Sequence, residues 1–237
     1  MNVVLLRVGI DSGCGGMQGP LFKDRSFEFI PIPDERNLDE RTYGNTQGRH
    51  KRSLVEYFPP RRRGKMAKQP MHVDPEFETF TYGDPTTPKR GLARLRPGDL
   101  LVFYAGLEGW AFASPPGLYL VGFFQVQWAG FASSQPLESV NEHFSANFHV
   151  RHKRLFAEQR DRLVLVKGTL DSRLYETAHP LSTTGTNLAG QPLKVVSPEM
   201  RCVFGDFGGK PAIQRSPTRW VAERYIQIAA EYVRSLS

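Results

Sequence analysis

The side chains able to do chemistry in this sequence gather in a few short stretches. One is Asp11-Ser12-Gly13-Cys14-Gly15-Gly16. Glycines at a strand exit bring backbone N–H groups together, so Ser12, Gly13, Gly15 and Gly16 form a candidate anion cradle with the Asp11 carboxylate beside it. A tight turn accounts for the same glycines, and the dinucleotide pattern fails by one position because Gln18 stands where its third glycine belongs. The stretch Gly205 to Pro211 fails as a P-loop: it is one residue short and proline replaces the metal-binding hydroxyl. Cys14 has no base near it in sequence and reads as a structural thiol.

His72-Val73-Asp74 has the spacing of two ligands in a two-histidine, one-carboxylate iron site. The third ligand would come from His143, His149, His152 or His179, with nothing in the sequence to choose among them. H-x-D also arises by chance, so a metal-free protein is the expectation and an iron oxygenase a minor alternative. In Tyr82-Gly83-Asp84-Pro85 the aspartate is placed to accept a proton, to bond a base edge or to close an Asx turn. The last stretch is Gln214-Arg215-Ser216-Pro217-Thr218-Arg219-Trp220. Ser216 is a plausible N-cap and Pro217 a first-turn proline, so Arg215 and Arg219 would flank a helix start. The dipole there repels guanidinium groups unless an anion compensates, which makes them candidate phosphate ligands. Gln214 offers an amide to a base and Trp220 a stacking face. The alternative is Trp220 in the core with both arginines paired to carboxylates.

The elements that must position these groups follow from composition and pattern. The chain has 237 residues, 40% hydrophobic and 23% charged, enough for a core in one α+β domain spanning 1–237. No apolar run approaches the ~20 residues of a membrane span. Without a secretory leader at its start, and with two cysteines, the chain reads as cytoplasmic. The net charge of +7 lies within residues 49–68, where eight basic residues face Glu56 alone. Arg61, Arg62 and Arg63 in this stretch are candidate nucleic-acid contacts, and a solvated loop is the competing reading. Residues 34–70 are polar and rich in Pro and Gly, a basic, loop-rich insertion. Strands are predicted over 3–10, 26–32, 77–82, 100–104, 118–126 and 162–167, with a bulge or corner at Gly122. A helix is predicted with Leu137, Val140, Phe144 and Phe148 on one face, ending in the basic cluster that begins at His149. An amphipathic C-terminal helix carries Val221, Tyr225, Ile228 and Tyr232.

Four segments carry a family resemblance: 7–16, 72–84, 98–107 and 214–217. Over nearly the full chain they make the sequence resemble the third of the nucleotide-modification-associated domain families. That resemblance implies a role on or with modified bases in the DNA of bacteria and their phages, without naming a reaction or cofactor. A looser similarity, around Pro97-Gly98-Asp99 and the strand ending at Tyr104, is to the PUA, ASCH and EVE group of small β-barrels. It implies a curved, partly barrel-like mixed sheet with flanking helices, and it makes Tyr104, Trp110 and Trp128 candidates to stack a base, though Trp128 reads better as core.

The combined expectation is a protein that binds DNA or a nucleotide. Asp11, Asp84 and His149 are the candidate catalytic groups. Tyr82, Tyr104, the glycine loop, Arg61, Arg62, Arg63, Gln214, Arg215, Ser216, Arg219 and Trp220 are expected to hold the ligand. A base-modifying enzyme of the transferase type and a non-catalytic reader remain open. An enzyme's pocket should pair ionisable groups with displaced pKa values, a reader's should offer aromatics and amides.

Overall fold

The computed structural model describes residues 1–214 and 217–237. Its strands and helices, in chain order, are β1 (Val3–Arg7), β2 (Gly19–Leu21), β3 (Ile32–Pro33), α1 (Pro60–Met66), β4 (Met71–His72), β5 (Thr81–Asp84), β6 (Leu100–Gly109), β7 (Gly117–Phe131), α2 (Leu137–Phe144), α3 (Phe148–Arg151), α4 (Lys153–Gln159), β8 (Val164–Gly168), β9 (Arg173–Pro180), β10 (Ser182–Thr186), β11 (Pro192–Val196), α5 (Pro198–Phe204), β12 (Arg219–Trp220) and α6 (Ile226–Ser235). The main sheet runs β12-β1-β6-β7-β8-β5, with β2 extending the β1 edge of β6 and β9 sharing the β8 edge of β7. β1 and β6 are parallel, and the β6–β7, β7–β8 and β8–β5 pairs are antiparallel. The fold is thus mixed α+β, as expected. The sheet forms no closed barrel, so the partly barrel-like, PUA-like element expected in mid-chain is not established.

The sequence explains the central strands. Val3 to Leu6 and Leu100 to Leu107 are buried on both faces, which is why they read as continuous apolar runs rather than alternating ones. At Gly122 the pairing of β7 with β9 shifts register, and a Cβ there would lie 2.5 Å from the Arg173 carbonyl oxygen. The glycine lets two strands approach closely while β7 bends from β9 toward β8. The main core fills around Leu5, Phe103, Phe123, Phe124 and Tyr175.

Residues 34–70 are not a free loop. Tyr43, Leu54, Tyr57, Phe58 and Met66 pack with Ile10, Ile30 and Met71 into a second apolar cluster. Glu28, 2% exposed, accepts the backbone N–H of Arg49 at 2.9 Å, and the Arg49 guanidinium bonds the Tyr175 carbonyl at 2.6 Å. Three further corrections concern local structure. The helix expected to run through Phe148 breaks after Phe144, and Asn147 caps α3 by accepting the His149 N–H. The strand predicted over 77–82 begins only at Thr81, because Phe80 takes a left-handed φ of 54°. The C-terminal helix begins at Ile226, not near Ser216, and buries Ala229, Ala230 and Val233. Arg219 and Trp220 instead form an edge strand against β1. No helix among the described residues is long and apolar enough to cross a membrane.

Candidate functional site

Three connections meet beside the C-terminal end of β1. The chain leaves β1 through Val8, whose N–H bonds Tyr104, and turns at Asp11. β4, β5 and the connection between them deliver His72, Asp74, Tyr82 and Asp84, and α3 delivers His149. Together with Arg7, Cys14, Thr86 and Lys89 they line a cavity of about 460 Å³. The structure therefore brings Asp11, Asp84, Tyr82 and His149, far apart in sequence, around one space.

Most of these groups already have partners. Asp11 Oδ1 accepts the N–H groups of Gly13 at 2.8 Å and Cys14 at 2.7 Å, and Oδ2 pairs with Arg7 at 3.0 Å. The glycine loop thus turns two of its N–H groups inward onto Asp11, so they form no anion cradle. Gly15 has a φ of 100°, and a side chain there would overlap Ile10, which explains the glycine. Asp84 Oδ1 accepts Thr86 N–H at 2.7 Å and Oδ2 accepts the Tyr82 hydroxyl at 3.0 Å. It closes an Asx turn and stands in the cavity wall at the same time. Burial, reinforced by Asp84 and Asp74, holds the Tyr82 phenol well above its usual pKa.

Deeper in the wall, His149 Nδ1 lies 2.8 Å from Gln159 Oε1. An amide oxygen only accepts, so Nδ1 carries the proton and the Nε2 lone pair faces Asp74 Oδ2 at 3.7 Å. The His72 ring stacks on Phe148 at 3.9 Å and stands edge-on to His149 at 4.8 Å. Gly83 N–H donates to Asp74 Oδ2 at 2.9 Å. His72 Nε2 and Asp74 Oδ1 are buried without a hydrogen-bond partner. Burial pushes the Asp74 carboxyl well up, the His72 imidazole down to about 3, and His149 down. Lys89, 6% exposed, is pushed down to about 8 by burial, against the attraction of Asp84.

A second cavity, of about 540 Å³, shares Arg7 and Asp11 with the first and adds Ser12, Gly13, Gly16, Lys194 and Gln214. Arg7 spans the two: its guanidinium pairs with Asp11 and also donates to the Gln214 carbonyl oxygen. Gln214 Oε1 accepts the Lys194 N–H at 3.0 Å. Elsewhere, a mostly apolar cavity of about 540 Å³ lies between Phe29, Met71, Val73 and Phe77 and contains none of the expected site residues.

Several expected ligand contacts line neither cavity. Tyr104 is fully buried and its hydroxyl bonds the Ile213 carbonyl at 3.0 Å, so neither ring face is open to a base. Arg219 is on a strand rather than a helix start, and its guanidinium bonds the Ala212 carbonyl at 2.6 Å. Trp220 has the Arg94 guanidinium over its ring at 5.0 Å. Trp110 packs edge-on against Tyr57 and Trp128 against Phe144. Arg63 bonds the carbonyls of Phe58 at 2.9 Å and Glu56 at 2.7 Å, a structural duty. Arg62 lies against Gly16, where a Cβ would meet its guanidinium, and Arg61 is exposed. Arg215 and Ser216 fall outside the described residues. Sequence reasoning missed Arg7, Lys89 and Lys194. Arg7 could have been found as the one charge ending an apolar strand; Lys89 sits in an irregular 3-10 stretch with no periodic signal.

A family model described as nucleotide modification associated domain 3 matches residues 2–232, nearly the whole chain. Neither the curated proteins nor the solved structures contain a match.

Proposed function

Because the chain belongs to the nucleotide modification associated domain 3 family, we propose that it is an enzyme that binds a nucleotide, free or within DNA, at the two cavities that share Arg7 and Asp11 and modifies it. The observation that carries this reading is the lining of the first cavity. Asp74, Tyr82, Lys89, His72 and His149 all have displaced pKa values there, and Tyr82 is the one aromatic side chain besides the histidines. That is the composition of a site for proton transfer or electrophilic activation, and it favours the enzyme over the reader.

In this reading Arg7 and Lys89 meet the phosphate, with Lys194 extending the positive charge into the second cavity. Asp84 faces the reacting group, His149 stands in the inner wall beside Asp74, and Asp11 positions Arg7 and the glycine loop. Arg62, against Gly16 of the second cavity, and the exposed Arg61 beside it in sequence add phosphate contacts when the ligand is part of a longer strand. The test is mass spectrometry of nucleosides from DNA of cells producing the protein or its Asp84→Asn variant. A nucleoside made with the first and missing with the second is the expected result. Identical nucleoside profiles from the two would refute the catalytic reading.

A further inference from the structure

We infer that His72, Asp74 and His149 form a binding site for one first-row divalent transition-metal ion of the iron(II) class, with its remaining coordination positions open to the first cavity. One potential ligand atom from each residue lies within 4.8 Å of the others. Two imidazole nitrogens and one carboxylate oxygen, with positions left open, are the donor set such ions take in non-haem sites.

Three further observations point to a ligand rather than to a packed polar cluster. His72 Nε2 and Asp74 Oδ1 are buried without a hydrogen bond of ordinary geometry, the Asn147 side chain being the one neighbour that acts on the carboxyl, an arrangement costly to a fold unless a ligand satisfies both atoms. Gln159 fixes the His149 tautomer, so that Nε2, the atom nearest Asp74, offers its lone pair. Gly83 N–H holds the other carboxylate oxygen, which orients Asp74 and leaves Oδ1 to coordinate. These are the outer contacts that metal ligands ordinarily have. Bonds of about 2.1 Å at right angles place ligand atoms about 3.0 Å apart. Ligand atoms that lie within 4.8 Å of one another therefore have to draw together by up to about 2 Å, which side-chain rotation supplies.

All three residues line the cavity that also holds Arg7, Asp84 and Lys89. The inference deepens the proposed function and rests on it only for what the open positions face; metal binding itself is measured without a nucleotide. Full-length protein is stripped with a chelator, then titrated anaerobically with iron(II), and separately with cobalt(II) for its visible d–d bands. One equivalent is expected to bind, and the d–d bands to appear with it. His72→Gln and His149→Gln should lose this binding. Gln159→Leu, which leaves every ligand in place, should weaken it by roughly 10–100-fold. Circular dichroism checks that each variant is folded. The inference is overturned if the unaltered protein binds no stoichiometric metal, a result that does not depend on any variant folding. It is equally overturned if folded His72→Gln and His149→Gln bind as tightly as the unaltered protein. Nucleotide binding by the stripped protein, run in parallel, separates failure of the metal site from failure of the pocket.

Discussion

Lys89 gives the cavity a measurable electrostatic signature. The residue is 6% exposed, and burial lowers its pKa from 10.5 to about 8. In the unfolded chain the group keeps its ordinary value. Below pH 8 both states hold the proton, and the full cost of burying the charge is present. Between pH 8 and 10.5 the unfolded chain binds more protons than the folded one, so this group's contribution to stability rises with pH. At 1.36 kcal/mol per pKa unit, most of the shift is recovered by pH 10, a gain of about 2–3 kcal/mol. The perturbation is Lys89→Met, which removes the titration while keeping most of the volume. Urea denaturation of both proteins from pH 7 to 10 yields a stability difference in which Cys14 and the buried tyrosines cancel. The unaltered protein should gain on the variant by about 2–3 kcal/mol across that range. A pH-independent difference would show that Lys89 is not a buried cation, and would remove it from the proposed phosphate site.

Other expectations follow from the same contacts. Arg63→Ala should destabilise the fold by about 1–3 kcal/mol, since two carbonyls lose a charged donor, while Arg61→Ala should change it by less than about 0.5 kcal/mol; denaturant titration compares them. Replacing Arg61 and Arg62 by Ser, with Arg63 kept, should flatten the dependence of log K on log salt for duplex DNA by roughly 0.9 per lost phosphate contact, and an unchanged slope would leave both as solvated charges. Gly15→Ala should cost about 1–3 kcal/mol in a thermal melt, because a left-handed φ and the Ile10 side chain both oppose a Cβ.

What the sequence revealed depended on how local each signal was. The apolar runs of β1, β6 and β7 were legible because burial on both faces leaves no polar residue to interrupt them. Asp11, Asp84 and His149 were singled out by turn chemistry and residue type, although their meeting depends on the β4–β5 connection and the helix break at Asn147, which no local pattern announces. The choice of His149 beside His72 and Asp74 was closed to sequence reading for the same reason: it depends on contacts across more than sixty positions. The Ser216-Pro217 pair has the sequence of a cap and so predicts the C-terminal helix earlier than its start at Ile226. Sheet pairing with β1 overrode that signal at Arg219 and Trp220. The charge count of residues 49–68 concealed the fact that Arg49 and Arg63 spend their guanidinium groups on backbone carbonyls.

The central claim, that a nucleotide binds in the first cavity, is tested most directly by calorimetric titration of a deoxynucleoside monophosphate panel at low salt. The unaltered protein should bind at least one of the panel, and Lys89→Met should weaken that binding by roughly 10–100-fold, the loss of a charge-assisted contact. Arg96→Ser, on a separate surface recess beside Trp220, should bind as the unaltered protein does. Binding by none of the three proteins, or equal binding by all three, would contradict the account.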